Sequence, residues 1–197
     1  MADTPIADMV LHHGLFTTLD RAQPTATAVA ISDGRFTHVG NDHEIMALVG
    51  PRTRVIDLRG RRVLPGLIDN HLHIIRGGLN FNMELRWDGV RSLQTYHRSG
   101  VKIAAGSDAG LDSVGYEMLP MELKFMRIAG LSPMETLMAA TRNAAELMGL
   151  SERCGTLEAG KKADFLIVNA DPLENPDALY QLHSVYKAGR RHEPNAD

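Results

Sequence analysis

The sequence predicts an α/β protein with strands towards both ends of the chain and helices between them. Three observations lead to this. Between Met9 and Leu64 short apolar segments alternate with turn residues; from Tyr116 to Leu150 apolar residues, many of them methionine, recur at helical spacing; from Ala163 the chain returns to short strand-like runs. With 197 residues, 44% of them hydrophobic, and a formal net charge of −3, the chain can bury a core and reads as an ordinary globular protein.

Taken in order, Met1 to Ile6 read as a frayed terminus. Val10-Leu11 and Leu15-Phe16 flank His12-His13-Gly14, and Ala26 to Ile31 is a strand of small residues. Ser32-Asp33-Gly34-Arg35 is a hairpin signal leading into Phe36 to Gly40. A helical patch over Asp42 to Leu48 precedes two further strands, Thr53 to Leu58 and Arg62 to Leu64. His12, His13, His38 and His43 lack convergent spacing here and are read as surface or edge residues. Farther on, Tyr116 to Ala129 forms a helix that Gly130 stops. Ser132-Pro133-Met134-Glu135 is a capping box with proline at the first helical position, opening a helix through Thr141, and Asn143 to Leu150 is a third. The methionines on these helices are core filler. Ala163 to Val168 is a strand entered through the turn Thr156 to Lys162, and Val185 to Arg190 is its partner. Asp171 to Pro176 is a turn-rich connection, and residues 193–197 form a loose tail.

Composition narrows the function classes. There is no apolar run of 18 residues, and the N-terminus lacks a basic region followed by a continuous apolar one, so neither a membrane span nor a signal peptide is expected and the expected location is cytoplasmic. Cys154 is the only cysteine, which fits a reducing compartment and a small half-buried residue rather than a nucleophile. Without basic clusters, a nucleic-acid partner is not expected.

The chemistry centres on Val63-Leu64-Pro65-Gly66-Leu67-Ile68-Asp69-Asn70-His71-Leu72-His73. In a strand, residues two apart face the same way, so His71 and His73 present two imidazoles on one side and Asp69 shares it. On spacing alone two such histidines are more often half-exposed strand residues than ligands. The eleven residues together, however, resemble the first barrel strand of the metal-dependent amidohydrolase superfamily, in its imidazolonepropionase-like branch. Val101-Lys102-Ile103-Ala104-Ala105-Gly106-Ser107-Asp108 resembles that superfamily's last barrel strand, which ends in a metal-facing aspartate. The run from Tyr116 to Asp164 resembles its C-terminal section, and Asn82 to Val90 resembles a subgroup that includes enzymes acting on N-substituted amides. Ala28 to Arg35 and Val55 to Arg61 resemble strands that pair with the chain's far end in a small β-sandwich.

The resemblance implies an incomplete (β/α) barrel fragment, made of the first and last barrel strands plus the C-terminal helices, beside a β-sandwich built from both chain ends. The implied division is 1–64 with 156–192 for the sandwich and 65–155 for the shortened hydrolase segment. A closed eightfold barrel usually takes about 250 residues. Between the two barrel segments only about two dozen residues remain, enough for one crossover helix. The central lysine or glutamate and the histidines that complete a binuclear site have no counterpart. His97 falls at the wrong end of its expected strand, and His183 and His192 belong to the sandwich. The implied site is therefore His71, His73 and Asp108 around one divalent ion, zinc, with Asp108 also the general base. The implied activity is hydrolysis of a non-peptide carbon–nitrogen bond, as in a linear or cyclic amide, on a small-molecule substrate. The alternatives are a catalytically inactive remnant that binds metal or a partner, and a shortened product of an active parent. Unpaired strand edges are expected to favour homo-oligomers.

Overall fold

The computed structural model describes residues 6–70, 93–107, 109 and 118–192. The N-terminal half supplies β1 (Met9–His12), β2 (Leu15–Thr17), β3 (Thr25–Ala26), β4 (Ala28–Ser32), β5 (Arg35–Gly40), helix α1 (Asp42–Met46), β6 (Arg54–Asp57) and β7 (Arg62–Pro65). Four helices follow: α2 (Leu93–Arg98), α3 (Leu119–Ile128), α4 (Pro133–Ala139) and α5 (Arg142–Leu147). The chain then forms β8 (Phe165–Val168), a 3-10 turn over Pro176–Tyr180, β9 (Leu182–Lys187) and β10 (Arg190–His192). No described helix is long and apolar enough to cross a membrane.

Two sheets result. One is four-stranded in the order β5-β4-β1-β6, and the other six-stranded in the order β10-β9-β8-β7-β2-β3. The second joins the chain's two ends, because β7 pairs with β8 antiparallel through Val63–Ile167 and Leu64–Leu166 while holding β2 in parallel on its other side. Alternation along each strand then decides which layer a side chain enters. Met9, Leu11, Val29, Ile31 and Phe36 of the first sheet meet Phe16, Val63, Phe165, Ile167 and Tyr186 of the second in the main core. Val10, Ala28 and Ala30 point the other way and pack on Ile45 of α1 and on Leu48. Leu64 and Val168 face away from the first sheet and pack with Leu123, Met126, Leu137 and Leu179. The order of layers is therefore α1, first sheet, second sheet, helices.

Local chemistry fixes the boundaries. Asn41 caps α1 and Ser132 caps α4, each in a complete capping box with Glu44 and Glu135. The Asp33-Gly34 hairpin forms as the sequence indicates, with both residues at positive φ (51° and 71°). A second two-residue turn, Ala188-Gly189 at 47° and 72°, splits the expected single strand over 185–190 into β9 and β10. Alanine gives little hint of a left-handed backbone, so this hairpin is hard to see in the sequence. Its tip is clamped by packing: a Cβ on Gly34 would stand 2.8 Å from the Ala188 carbonyl oxygen.

One expected element is absent. Residues 101–107 form no strand, because their backbone groups are satisfied singly rather than by a ladder. The Ala105 N–H donates to Ala139 O at the end of α4, Ala105 O accepts from the Asn70 N–H, and Ile103 O accepts from Asn143 Nδ2. Of the strand expected over 63–73, the ladder ends at Pro65, after which Gly66, Ile68 and Asn70 donate their N–H groups in turn to Asp164 O, Ala140 O and Ala105 O.

This packing leads to three stability predictions. Phe165 is 1% exposed, stacks on Tyr186 at 4.5 Å and lies 5.9 Å from Phe36; Phe165→Ala is expected to cost about 3–5 kcal/mol, read as a lower urea midpoint at unchanged m-value. In the capping box at α4, Ser132→Ala is expected to cost about 1 kcal/mol. Hydrogen bonds to Ser132, by side chain and backbone, and then to His97, hold the Glu135 carboxyl down to about 2. A carboxyl lowered in the folded state stabilises above its unfolded value of 4.5 and loses that benefit as pH falls towards 2. The destabilisation by Glu135→Ala should therefore be full at pH 7 and fade across that window in thermal melts.

Candidate active site

His71, His73 and Asp108 lie outside the described residues. The residue immediately before each motif is described, and the two are brought together. The Asn70 N–H donates to Ala105 O at 3.1 Å and its Nδ2 to the same oxygen at 3.2 Å. One residue earlier, the Asp69 carboxylate accepts the Ser107 N–H at 3.0 Å through Oδ1 and the Ser107 hydroxyl through Oδ2. Ser107 Oγ in turn accepts the Ala109 N–H at 3.3 Å. The segments that precede His71 and Asp108 are thus tied by backbone and side-chain hydrogen bonds at one end of the second sheet. Asp69, which the sequence places on the same face as the two histidines, holds Ser107.

Asn70 carries a further feature. Its Oδ1 is buried and has no hydrogen-bond donor among the described residues. A buried carbonyl oxygen without a donor is costly, of the order of 1–3 kcal/mol, and it lies next in sequence to the first histidine of the motif. An orphaned acceptor at this point fits a polar, liganded site rather than a packed apolar one.

Beside the tied segments lies an apolar cavity of about 850 Å³, lined by Ile103, Ala104, Gly106 and Asn143 on one side and by Glu122 and Met126 of α3 on the other. A volume of this size suits a small organic ligand. Glu122 is its informative member. Burial, and then the negative charge of Asp69, push its carboxyl above the usual value of 4.5. Nothing in the spacing around Glu122 marks it in the sequence; its standing comes from the packing of α3 against the loop that carries Asp69.

The other histidines are exposed or partly exposed, as the sequence suggested, but two of them converge. His97 on α2 pairs with Glu135 of the α4 capping box at 2.7 Å, a structural contact between helices. His183 and His192 sit on β9 and β10. His12 and His13, by contrast, converge with Asp57: one ligand atom from each of the three lies within 4.8 Å of the others. This cluster depends on the parallel pairing of β1 with β6, which sequence spacing does not reveal. Cys154 is half-buried, its thiol donates to Leu150 O at 3.7 Å, and burial raises its pKa, all consistent with a structural residue.

Comparison with known proteins identifies the family. The model of the amidohydrolase family matches residues 80–191. An imidazolonepropionase of Symbiobacterium thermophilum is 46% identical over 61 residues, 30% of this chain and 14% of that protein. An adenine deaminase of Ruegeria pomeroyi is 29% identical over 189 residues, 79% of this chain and 31% of the relative. The chain thus spans no more than about a third of the length of these curated relatives. Among solved structures, a chain from Bifidobacterium longum provisionally named a prolidase superposes with a TM-score of 0.76 at 17% identity, covering 95% of each chain, a likeness of fold alone. Since the family match covers more than half of its residues, the chain belongs to the amidohydrolase family.

Proposed function

We propose that the chain is a metal-dependent hydrolase of non-peptide carbon–nitrogen bonds, holding one divalent ion, zinc, through His71, His73 and Asp108. The observation that carries this reading is the pairing of Asp69 with Ser107 and of Asn70 with Ala105, which draws together the segments leading to the two halves of the motif. Two imidazoles and one carboxylate form a donor set suited to zinc with an open position. Once bound, such an ion supplies Lewis acidity towards water and the substrate carbonyl. Asp108 takes the proton from the attacking water and delivers it to the departing amine. Ser107, held by Asp69, fixes the backbone on which Asp108 is carried. The apolar cavity excludes water from the body of a small amide-type substrate, and Glu122, whose carboxyl is raised above its usual value by burial and then by Asp69, sets a polar group on the cavity wall.

In this reading residues 65–155 form the incomplete barrel segment and carry the reaction, while 1–64 and 156–192 form the composite sandwich that supports them. The protein works in the cytoplasm on a small molecule, without nucleic acid or membrane, and self-associates through strand edges. The chemistry is that of the family, and the deaminase relative breaks a carbon–nitrogen bond by its name. A second reading, a non-catalytic metal-binding remnant, is favoured by the absence from the sequence of the family's central ligands.

Metal content separates these readings from a chain that binds nothing. Elemental analysis of the untagged chain is expected to show one zinc more than in the His71→Ala and Asp108→Ala variants, and amine release from a panel of N-substituted amides should fall about 10²–10⁴-fold in Asp108→Ala. Equal metal content in all three proteins would overturn the site; a lost ion with no hydrolysis in the parent would leave the remnant. Glu122 has its own test. A carboxyl whose pKa is raised by folding costs stability once pH exceeds its unfolded value, so Glu122→Gln is expected to raise the Tm at pH 7, with the gain disappearing as pH falls below about 4.5.

A further inference from the structure

Consecutive residues of a strand normally point to opposite faces, so His12 and His13 at the end of β1 would be expected to diverge. They do not. His13 adopts φ 52°, a left-handed conformation that a few per cent of non-glycine residues take and that histidine tolerates better than most. The turn swings its ring beside that of His12, with centroids 4.4 Å apart and planes at 60°. The conformation is anchored at both ends: the His13 N–H donates to Asp42 Oδ1 at 2.7 Å, and its carbonyl accepts the Gly60 N–H at 2.7 Å.

The third member comes from the neighbouring strand. In the parallel pairing of β1 and β6, His12 stands opposite Asp57, and the Asp57 carboxylate lies 3.4 Å from His13 Nδ1. Its Oδ1 also accepts the Arg59 N–H at 2.9 Å, which orients the carboxylate and, as the leading cause, keeps its pKa below the usual value. In a tetrahedral zinc site with bonds of about 2.0–2.1 Å, neighbouring ligand atoms stand roughly 3.3–3.4 Å apart. The His13–Asp57 edge already has that length, and all three ligand atoms lie within 4.8 Å of one another. The His13 and Asp57 side chains are 61% and 46% exposed, so water can complete the coordination and the rings can close in without repacking the core.

We infer that His12, His13 and Asp57 form a surface site for a transition-metal dication of the zinc class, separate from the family motif at His71, His73 and Asp108. Imidazole nitrogens with one carboxylate select zinc, copper or nickel over magnesium and calcium, whose preferred ligands are oxygens. Bound there, the ion clips the end of β1 to the end of β6, across the one parallel pairing of the first sheet.

The test uses the untagged full chain carrying His71→Ala and His73→Ala, which removes the family motif. Calorimetric titration with zinc chloride is expected to show one ion bound, and magnesium chloride none. Adding His13→Asn, which keeps a residue tolerant of positive φ, or Asp57→Asn should weaken zinc binding by more than about tenfold. No zinc uptake by the double variant would overturn the site, as would uptake that neither further change affects. If the double variant does not fold, the zinc stoichiometry of the parent chain and of His13→Asn alone decides the matter: a fall of one ion supports the site and an unchanged count overturns it. Because the family motif is removed or held constant in each arm, these outcomes are independent of whether that motif binds metal.

Discussion

The pairing of β7 with β8 is the constraint on which the rest of the structure depends. Val63 and Leu64 are 0% and 1% exposed and face opposite ways, as do Ile167 and Val168 at 1% and 0%. A strand pair buried on both faces has no solvent side, so a shift of register by one residue would exchange the aromatic core against the first sheet for the leucine-rich core against the helices. The two cores are not interchangeable: one carries Phe16, Phe36, Phe165 and Tyr186, the other Leu123, Met126 and Leu137. Arg62 at the start of β7 adds a polar lock, reaching Thr17 Oγ1 at 2.9 Å and pairing with Asp171 beyond β8. Both partners are largely shielded, so removing either would strand a charge in a poorly solvated position.

From this pair the chain passes into the candidate site, and the manner of passing matters. Over residues 66–70 there is no ladder among the described residues, yet Gly66, Ile68 and Asn70 donate in sequence to three different carbonyl oxygens. Donors two residues apart on one side are the hydrogen-bonding rhythm of an extended strand. The period of two thus survives to Asn70 without a partner strand, because the end of α4 supplies Ala140 O for the middle donor while Ala139 O holds the Ala105 N–H. One helix terminus fixes both segments. The last carbonyls of a helix have no acceptor role within it, and here two of them become the rail along which the site is aligned.

How much of this the sequence shows depends on whether a signal is local. The capping box at Ser132, the Asp33-Gly34 hairpin and the apolar runs of β4 and β8 are all carried by neighbouring residues, and each appears where the sequence puts it. The Ala188-Gly189 hairpin is not legible, since its positive φ at alanine is held by packing on Gly34 from the other end of the chain. Residues 101–107 read as a strand because they are apolar, but a ladder needs a continuous neighbour, and their described partners are a helix end, the Asn70 N–H and the side chains of Asp69, Asn70 and Asn143. The family motif was legible as a pattern of residues. Glu122 was not, because burial and the nearby Asp69 give it its character, and neither can be read from its flanking sequence.

The two histidine pairs show why spacing is a conditional argument. For His71 and His73, sharing a face requires the extended rhythm of residues 66–70 to be carried further, and the observed donors at 66, 68 and 70 supply the approach it needs. For His12 and His13, adjacent in sequence, strand geometry predicts divergence, and one left-handed residue reverses the prediction. Backbone N–H and C=O groups hold the approach to the first pair, through Asp164, Ala140 and Ala105, and hold the second pair itself, through Asp42 and Gly60. Histidine spacing alone therefore favours His71 and His73, whereas backbone hydrogen bonding brings His12 and His13 together as well. Ligand geometry is set by the second, since a metal site needs donor atoms held in place before the ion arrives.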